Sequence, residues 1–386
     1  MSEAAILRVL PQKACSAAEI AREIGPEIGR RSDASRHEDD FVAENFALLK
    51  EAGLFEVGVP SELGGGGAGP DDLAEMLRTL AWHCSSTALA FAMHTHQVAV
   101  PAWRWHHQPA VRAAVEPLLK RLVGERLQLV SSGATDWIAG AGKAEKADGG
   151  YRITGRKRFA SGAPTGDLLI TGAVLDEPGE PPMVLHFALP MRSPQVKVLD
   201  NWRTLGMRGT GSHDVEIEGH VVPEAAVSLK RKAGEWHPLF QIIATIAFPL
   251  VYAVYLGIAE RARDIALGLA KKSPDRNAIQ IAGRMETELM AARLAHAHML
   301  ATVRLNAPSA QTINDIMTAR QLVGRHAIAA VEQAMELAGG AGFYRAAGLE
   351  RRFRDIQGAR YHVMRTAQQQ EYAGSMALGL PVAKVY

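Results

Sequence analysis

The hydrophobic period of this chain changes twice, and that restricts its fold more than any other feature. From Ala17 to about Leu122 apolar residues recur at helical spacing. Phe41, Phe46, Leu48, Leu49 and Leu54 are compatible with one helix face, and Leu73, Met76, Leu77 and Leu80 recur at three and four. From about Leu127 to Val227 the period is two. Tyr151-Arg152-Ile153-Thr154-Gly155 follows the turn Asp148-Gly149-Gly150, Asp214 to Glu218 alternates acidic with apolar, and Asp167 to Val174 and Met183 to Leu189 read as further strands. From Trp236 to Gly379 long helical stripes return. One runs through Ile279, Ala282, Met285, Leu289, Ala292 and Ala295, another through Ile313, Ile316, Ala319, Val323, Ala327, Ala330, Ala334 and Leu337, with breaks near Ser273-Pro274-Asp275 and Asn306-Ala307-Pro308. A 386-residue chain also exceeds one comfortable core. The expectation is a multidomain α+β protein: an N-terminal helical domain over 1–125, a middle antiparallel β-barrel or sandwich over 126–232, and a C-terminal four-helix bundle over 233–386.

Charge narrows the partner. Lys plus Arg total 43 against 41 Asp plus Glu, which gives no electrostatic reason to expect nucleic acid or an anionic membrane, so a small molecule is expected. Two cysteines, Cys15 and Cys84, suit neither a disulfide framework nor a four-ligand zinc site and point to a cytoplasmic home. Met1 to Leu10 has no basic leader, and the apolar run from Ile242 to Ile258, interrupted by Thr245 and Pro249, reads as a buried bundle helix rather than a membrane span. His94 and His96 stand two apart on a helix, so they do not share a face, and no metal site is expected.

Four motifs, in order, carry a resemblance. The first is Gly53-Leu54-Phe55 with Val59-Pro60 and the glycine run Gly64 to Gly67. The second runs from Tyr151 to Gly162, with Gly155-Arg156-Lys157-Arg158-Phe159-Ala160-Ser161 at its centre. Leu205-Gly206-Met207-Arg208-Gly209-Thr210-Gly211-Ser212, followed by His220-Val221-Val222-Pro223, is the third. The fourth is Glu336-Leu337-Ala338-Gly339-Gly340-Ala341-Gly342-Phe343, followed by Arg354-Asp355. Together they resemble the acyl-CoA dehydrogenase superfamily, which includes monooxygenases that share its fold. The resemblance implies FAD held between the β zone and the bundle, a homo-oligomer (dimer or tetramer) in which a neighbouring subunit completes the site, and an electron-transfer partner or flavin reductase. It places Phe159 as a flat wall for the flavin, Ser161, Thr210 and Ser212 as its hydrogen-bonding neighbours, and Gly339 and Gly340 against the diphosphate of an adjacent subunit's cofactor. Glycine suits that last role because a side chain would occupy the anion's place. Arg354 and Asp355 are expected to form an ion pair that orients bundle helices.

The departures concern the chemistry. Desaturating an acyl thioester needs a base for the α-proton, and the family's common answer is a glutamate shortly after the Arg-Asp pair. Here that position falls on Val363, and Ile356 to Gln370 contains no carboxylate. The alternative position falls near Ala247, and Trp236 to Ala259 contains none either. Glu260 and Glu371 border these gaps and read as exposed helix-face carboxylates. Before the hairpin, Val130-Ser131-Ser132-Gly133-Ala134-Thr135-Asp136-Trp137 is shorter than the family's segment and lacks its proline, leaving Ser131, Ser132 or Thr135 as flavin contacts. His362 adjoins the vacant position, and related monooxygenases carry a histidine in this helix, so His362 is the candidate catalytic residue. The first expectation is therefore an FAD-dependent oxidoreductase acting on the α,β bond of an acyl-CoA without the usual glutamate. The alternatives are a two-component monooxygenase using reduced flavin and oxygen on a small molecule, and a non-catalytic flavin-binding subunit.

Overall fold

The computed structural model describes residues 16–34, 40–133, 136–271 and 275–382. Cys15, Thr135 and the break at Ser273-Pro274 lie outside the described residues. Five helices come first: α1 (Ala17–Ala34), α2 (Ala43–Glu51), α3 (Pro70–His83), α4 (Ser85–His107) and α5 (Arg112–Glu125). Their ends follow local chemistry. α3 opens on a proline followed by two acids, Asp71 and Asp72, at the positive end of the helix dipole. α4 begins where the Cys84 sulfur accepts the Thr87 N–H. Leu73, Met76, Leu77 and Leu80 are all buried, as their spacing predicts. Phe41 and Leu54 fall outside the short α2, so that stripe continues through flanking loops.

Eight strands follow: β1 (Leu129–Ser131), β2 (Lys143–Ala147), β3 (Gly150–Lys157), β4 (Leu168–Leu175), β5 (Met183–Pro190), β6 (Val196–Val198), β7 (Val215–Pro223) and β8 (Leu229–Lys232). They form one ladder in the order β6-β7-β3-β2-β4-β5-β8, with β1 also on β4. The β2–β3 hairpin turns at Asp148-Gly149 with Ala147 opposite Gly150, as the sequence predicts. The middle domain is thus the expected β domain, with one refinement: β1 and β2 both run parallel to β4, and the other pairings are antiparallel. Alternate residues of β3, β4, β5 and β7, among them Ile153, Leu169, Leu185, Phe187 and Ile217, share a single apolar cluster, so the ladder curls around one core.

The bundle contains α6 (Leu239–Ala270), α7 (Arg276–Arg304) and α8 (Ala310–Ala338), then the short α9 (Gly340–Phe343) and α10 (Leu349–Ile356), and finally α11 (Thr366–Ala377). The expected fourth helix is therefore broken: α10 and α11 are separated by a 3-10 turn and an irregular stretch around Tyr361 to Arg365. α8 starts in a reciprocal Ser309–Thr312 capping box after Pro308. Most of the two predicted stripes are buried, but Ile279 is 64% exposed, because it sits in the first turn of α7, beyond the end of the packed face. α6 is long and apolar enough to cross a membrane, yet 94% of its most apolar window is buried inside the protein. It is the hub on which α3, α4, α7 and α8 pack, and the N-terminal helices and the bundle share one core. At Gly257 a Cβ would lie 2.2 Å from the Arg78 carbonyl, so only glycine lets α6 and α3 approach so closely. Glu260, one turn on, is not the exposed carboxylate expected. It is buried, accepts two bonds from Arg78 at 2.6 Å, and pairs with Arg293 at 2.9 Å.

Candidate functional site

One side of the site is built by loops of the β domain. Backbone bonds from Gly133 N to Arg158 O, Ala160 N to His213 O and Gly162 N to Thr210 O stitch three segments together. At their junction Phe159 has φ +57. A bulky aromatic in the left-handed region costs on the order of 1–3 kcal/mol and persists only where its surroundings hold it. Phe159 is nonetheless 48% exposed, and its ring meets Trp202 edge-on at 6.0 Å. A strained, exposed ring is poor core and a good wall. Behind it the structure joins Ser161, Thr210 and Ser212: Ser161 Oγ lies 2.7 Å from Ser212 Oγ, which lies 2.6 Å from Thr210 Oγ1. All three hydroxyls are buried, and Ser161 is the one nearest to Phe159 along the chain. Ser132 has turned inward, bonding Thr171 Oγ1 at 2.7 Å.

A second cluster belongs to the bundle, where His362 lies in the break rather than on a helix. The cause is Arg320, a buried guanidinium that donates to the carbonyls of His362, Val363 and Met364. Those carbonyls would otherwise accept within a continuous helix, so the arginine replaces the helical ladder and holds the chain open. Its charge also lies over the rings of Phe248 at 5.4 Å and Tyr252 at 5.3 Å. In the opened segment His362 Nε2 meets the Tyr255 hydroxyl at 2.6 Å, and its ring packs edge-on to Tyr252 and Tyr255. Desolvation first, then Arg320 and His96, push the His362 pKa down to about 3. Burial raises the Tyr255 hydroxyl well above its usual range. Both groups are therefore neutral at pH 7.

His94 and His96 have separate duties. His94 Nδ1 accepts from Leu129 N at 3.0 Å, which fixes its proton on Nε2 for the Phe55 carbonyl at 2.9 Å, and burial lowers its pKa to about 4. It ties the N-terminal domain to β1. His96, also lowered to about 4 by burial and then by His94, keeps its buried Nδ1 without a partner. Tyr255 and Arg320 escape sequence reading because each looks like an ordinary helical residue. Only the break that places His362 among them gives them meaning.

The expected Arg354–Asp355 ion pair does not form. Arg354 pairs with Glu350 at 2.8 Å, one helical turn away, whereas Asp355 is buried and accepts from Ser85 Oγ and from Met207 N. Adjacent residues on a helix point in different directions, so each finds its own partner. Asp355 thus joins all three domains at the loop Leu205 to Ser212. Gly206 permits that contact, since a Cβ there would fall 2.1 Å from the Arg354 carbonyl. Gly339 and Gly340 stand apart: both are exposed, and nothing lies within 4 Å of where a Cβ would be. Among the described residues no hydrogen bond links them to the hydroxyls. Val363, at the vacant glutamate position, packs against the main core, and the buried carboxylates near the site, Asp355 and Glu260, are already committed.

An exposed aromatic wall with a hydroxyl beside it suits the flat ring of a flavin, which needs stacking surface and a few polar contacts. Comparison with known proteins agrees. The acyl-CoA dehydrogenase N-terminal, middle and C-terminal domains match residues 16–114, 133–220 and 250–366. An amino sugar nitrososynthase of Streptomyces peucetius is 28% identical over 92% of this chain and 91% of its own. A dibenzothiophene monooxygenase of Mycolicibacterium goodii is 33% identical over 56% of this chain and 54% of its own. The solved structure of KijD3 in complex with FMN and dTDP-3-amino-2,3,6-trideoxy-4-keto-3-methyl-D-glucose, 25% identical, aligns with a TM-score of 0.85 over 97% of this chain and 96% of that one. With all three of its domains matched in order, the chain belongs to the acyl-CoA dehydrogenase family.

Proposed function

We propose that the protein is a flavin-dependent monooxygenase that receives reduced flavin from a separate reductase and inserts one atom of O2 into a small organic molecule. The observation that carries this reading is the pairing of neutral His362 with Tyr255 where a dehydrogenase of this family would present a carboxylate. Reduced flavin, when bound, supplies two electrons to O2, so that one oxygen atom enters the substrate and the other leaves as water. The names of the relatives favour this reading over acyl-CoA oxidation, the first expectation from sequence. The cofactor in this reading is a flavin, FMN or FAD. The flavin site in this reading is completed by Gly339 and Gly340 of a second copy.

The chain's own residues have definite tasks in this reading. Phe159 supports the ring and Ser161 meets its polar edge. A histidine with a pKa near 3 does not store a proton at neutral pH. His362 Nε2 instead accepts the Tyr255 hydroxyl proton in a 2.6 Å hydrogen bond, so the pair stays neutral and each ring fixes the orientation of the other beside the reacting atoms. The test is twofold. Mixing the oxidised holoprotein anaerobically with a panel of acyl-CoAs should leave the flavin absorbance unchanged, whereas bleaching would overturn the proposal. Supplying reduced flavin, 18O2 and candidate amines, phenols and heteroaromatics should yield a product carrying one 18O.

A further inference from the structure

This fold answers its inward cations with carboxylates or carbonyls: Glu260 takes Arg78 and Arg293, and three successive carbonyls take Arg320. A cavity of about 380 Å³, between the end of α1, the second half of α6 and the start of α10, departs from that pattern. Four arginines, Arg261, Arg345, Arg351 and Arg352, line it against two carboxylates, Asp33 and Glu350. Both carboxylates already have an arginine. Asp33 lies 3.6 Å from Arg351, and Glu350 turns along α10 to Arg354 at 2.8 Å. The lining shares no residue with either cluster described above.

Arg261 and Arg352 are thereby left without a carboxylate among the described residues. Arg261 lies over the Trp82 ring at 4.0 Å, and Trp82 is itself fixed by its Nε1 bond to Asp264 at 2.9 Å. The Arg261 Nε is buried and has no acceptor. Arg352 is 6% exposed and reaches only the carbonyls of Gly348 at 3.3 Å and His83 at 3.4 Å, both long for a charged donor. Burial, and then the Arg351 charge, hold the Arg352 pKa below its usual value, yet a guanidinium stays charged at neutral pH. α10 adds its N-terminus, since it opens beside the cavity at Gly348, φ +68, without a side-chain cap. Positive groups gathered in a partly desolvated space without a counter-charge cost free energy that a bound anion restores.

We infer that this cavity is a binding site for a phosphoryl anion, separate from the flavin site. Two guanidiniums and a helix terminus match the several oxygens of a phosphate, which accept paired N–H bonds, better than they match a monovalent ion. The volume exceeds a single phosphate and admits a diphosphate or a nucleoside phosphate. Occupancy has a route to the rest of the molecule. The last turn of α10 carries Asp355, which holds Met207 N and Ser85 Oγ, so an anion that braces the first turn also braces the loop Leu205 to Ser212.

Calorimetric titration of the full chain, with and without saturating FMN, tests this, using inorganic phosphate and pyrophosphate as probes and chloride at the same ionic strength as the control. Pyrophosphate should saturate one site per chain, and FMN should change its affinity by no more than about twofold. Arg261→Gln should weaken pyrophosphate at least about tenfold with flavin affinity retained, and Arg261→Lys, which keeps the charge but not the fork, about threefold. Arg261→Gln also loses its stack on Trp82, so a second variant guards against misfolding. Ala347→Glu, which puts a carboxylate into the cavity lining, should abolish pyrophosphate binding and raise the melting temperature. In wild type, bound pyrophosphate should slow amide exchange across 348–356 and at Met207. No saturable binding of either probe, unchanged binding by a folded Arg261→Gln or Ala347→Glu variant, or displacement of pyrophosphate by FMN would each overturn the inference.

Discussion

The β-domain cluster and the bundle cluster are held by opposite means. The first rests on many separate bonds between two loops: Phe159, Ser161, Thr210 and Ser212 fall within two motifs, and their contacts are hydroxyls and backbone groups. The second leans most on one buried cation, Arg320, which donates to three successive carbonyls and holds the His362 segment out of a helix. The difference teaches where each is vulnerable. A distributed network loses one bond at a time, whereas carbonyls that share a single buried charge lose their donor together.

Replacing that charge should therefore have the largest effect. Arg320→Leu leaves three carbonyls without their donor and should cost about 4 kcal/mol in chemical denaturation. Amide exchange should rise through 356–366 while segments 158–162 and 207–213 stay protected. Equal loss of protection on both sides would erase the contrast.

Acid should separate the two sides next. His94 has its pKa lowered from 6.5 to about 4, so below pH 6.5 the unfolded chain binds a proton that the folded chain refuses. Stability is then full above about pH 6.5 and declines toward pH 4, by about 3 kcal/mol for this one group. The hydroxyls carry nothing that titrates in this range. Thermal melting between pH 7 and 4.5 checks this, and His94→Asn should make the dependence shallower, the remainder coming from the other buried histidines, His96, His186 and His362. A flat wild-type profile would show that the junction histidines are not held neutral.

A smaller, purely functional effect is expected at the break. His362→Ala should lower turnover about hundredfold, equivalent to about 2.7 kcal/mol, with reduced-flavin affinity within threefold of wild type. Loss of flavin affinity in equal measure would make His362 part of the cofactor wall, erasing the division of labour. The smallest effect on stability belongs to Phe159→Gly. Relief of the left-handed backbone should leave the melting temperature level or raised by about 1 kcal/mol equivalent, while flavin affinity falls about tenfold. A clear loss of stability would show that Phe159 is core and not wall.

The same contrast explains what could be read early. The hairpin at Asp148-Gly149, the buried stripe of α3 and the motif order are consequences of local chemistry, and the structure reproduces them. Glu260 and the Arg354-Asp355 pair were misread for one reason: a charged residue in sequence does not reveal its partner. Glu260 meets Arg78, 182 residues away, and Asp355 meets Ser85 and Met207 in two other domains. The vacancy at Val363 draws attention to His362, but the helix expected there is interrupted at that residue.

By itself the sequence determined the order of helical, β and helical domains, and the absence of a carboxylate where the family's base would stand. Hydrophobic period and residue identity are local properties, fixed before any contact forms. Tertiary structure alone decided that the helix breaks at His362, that Tyr255 meets it, and that the hydroxyls of Thr210, Ser212 and Ser161 gather behind Phe159. Those outcomes depend on which buried donor reaches which acceptor, and that is settled only when distant parts of the chain are packed together.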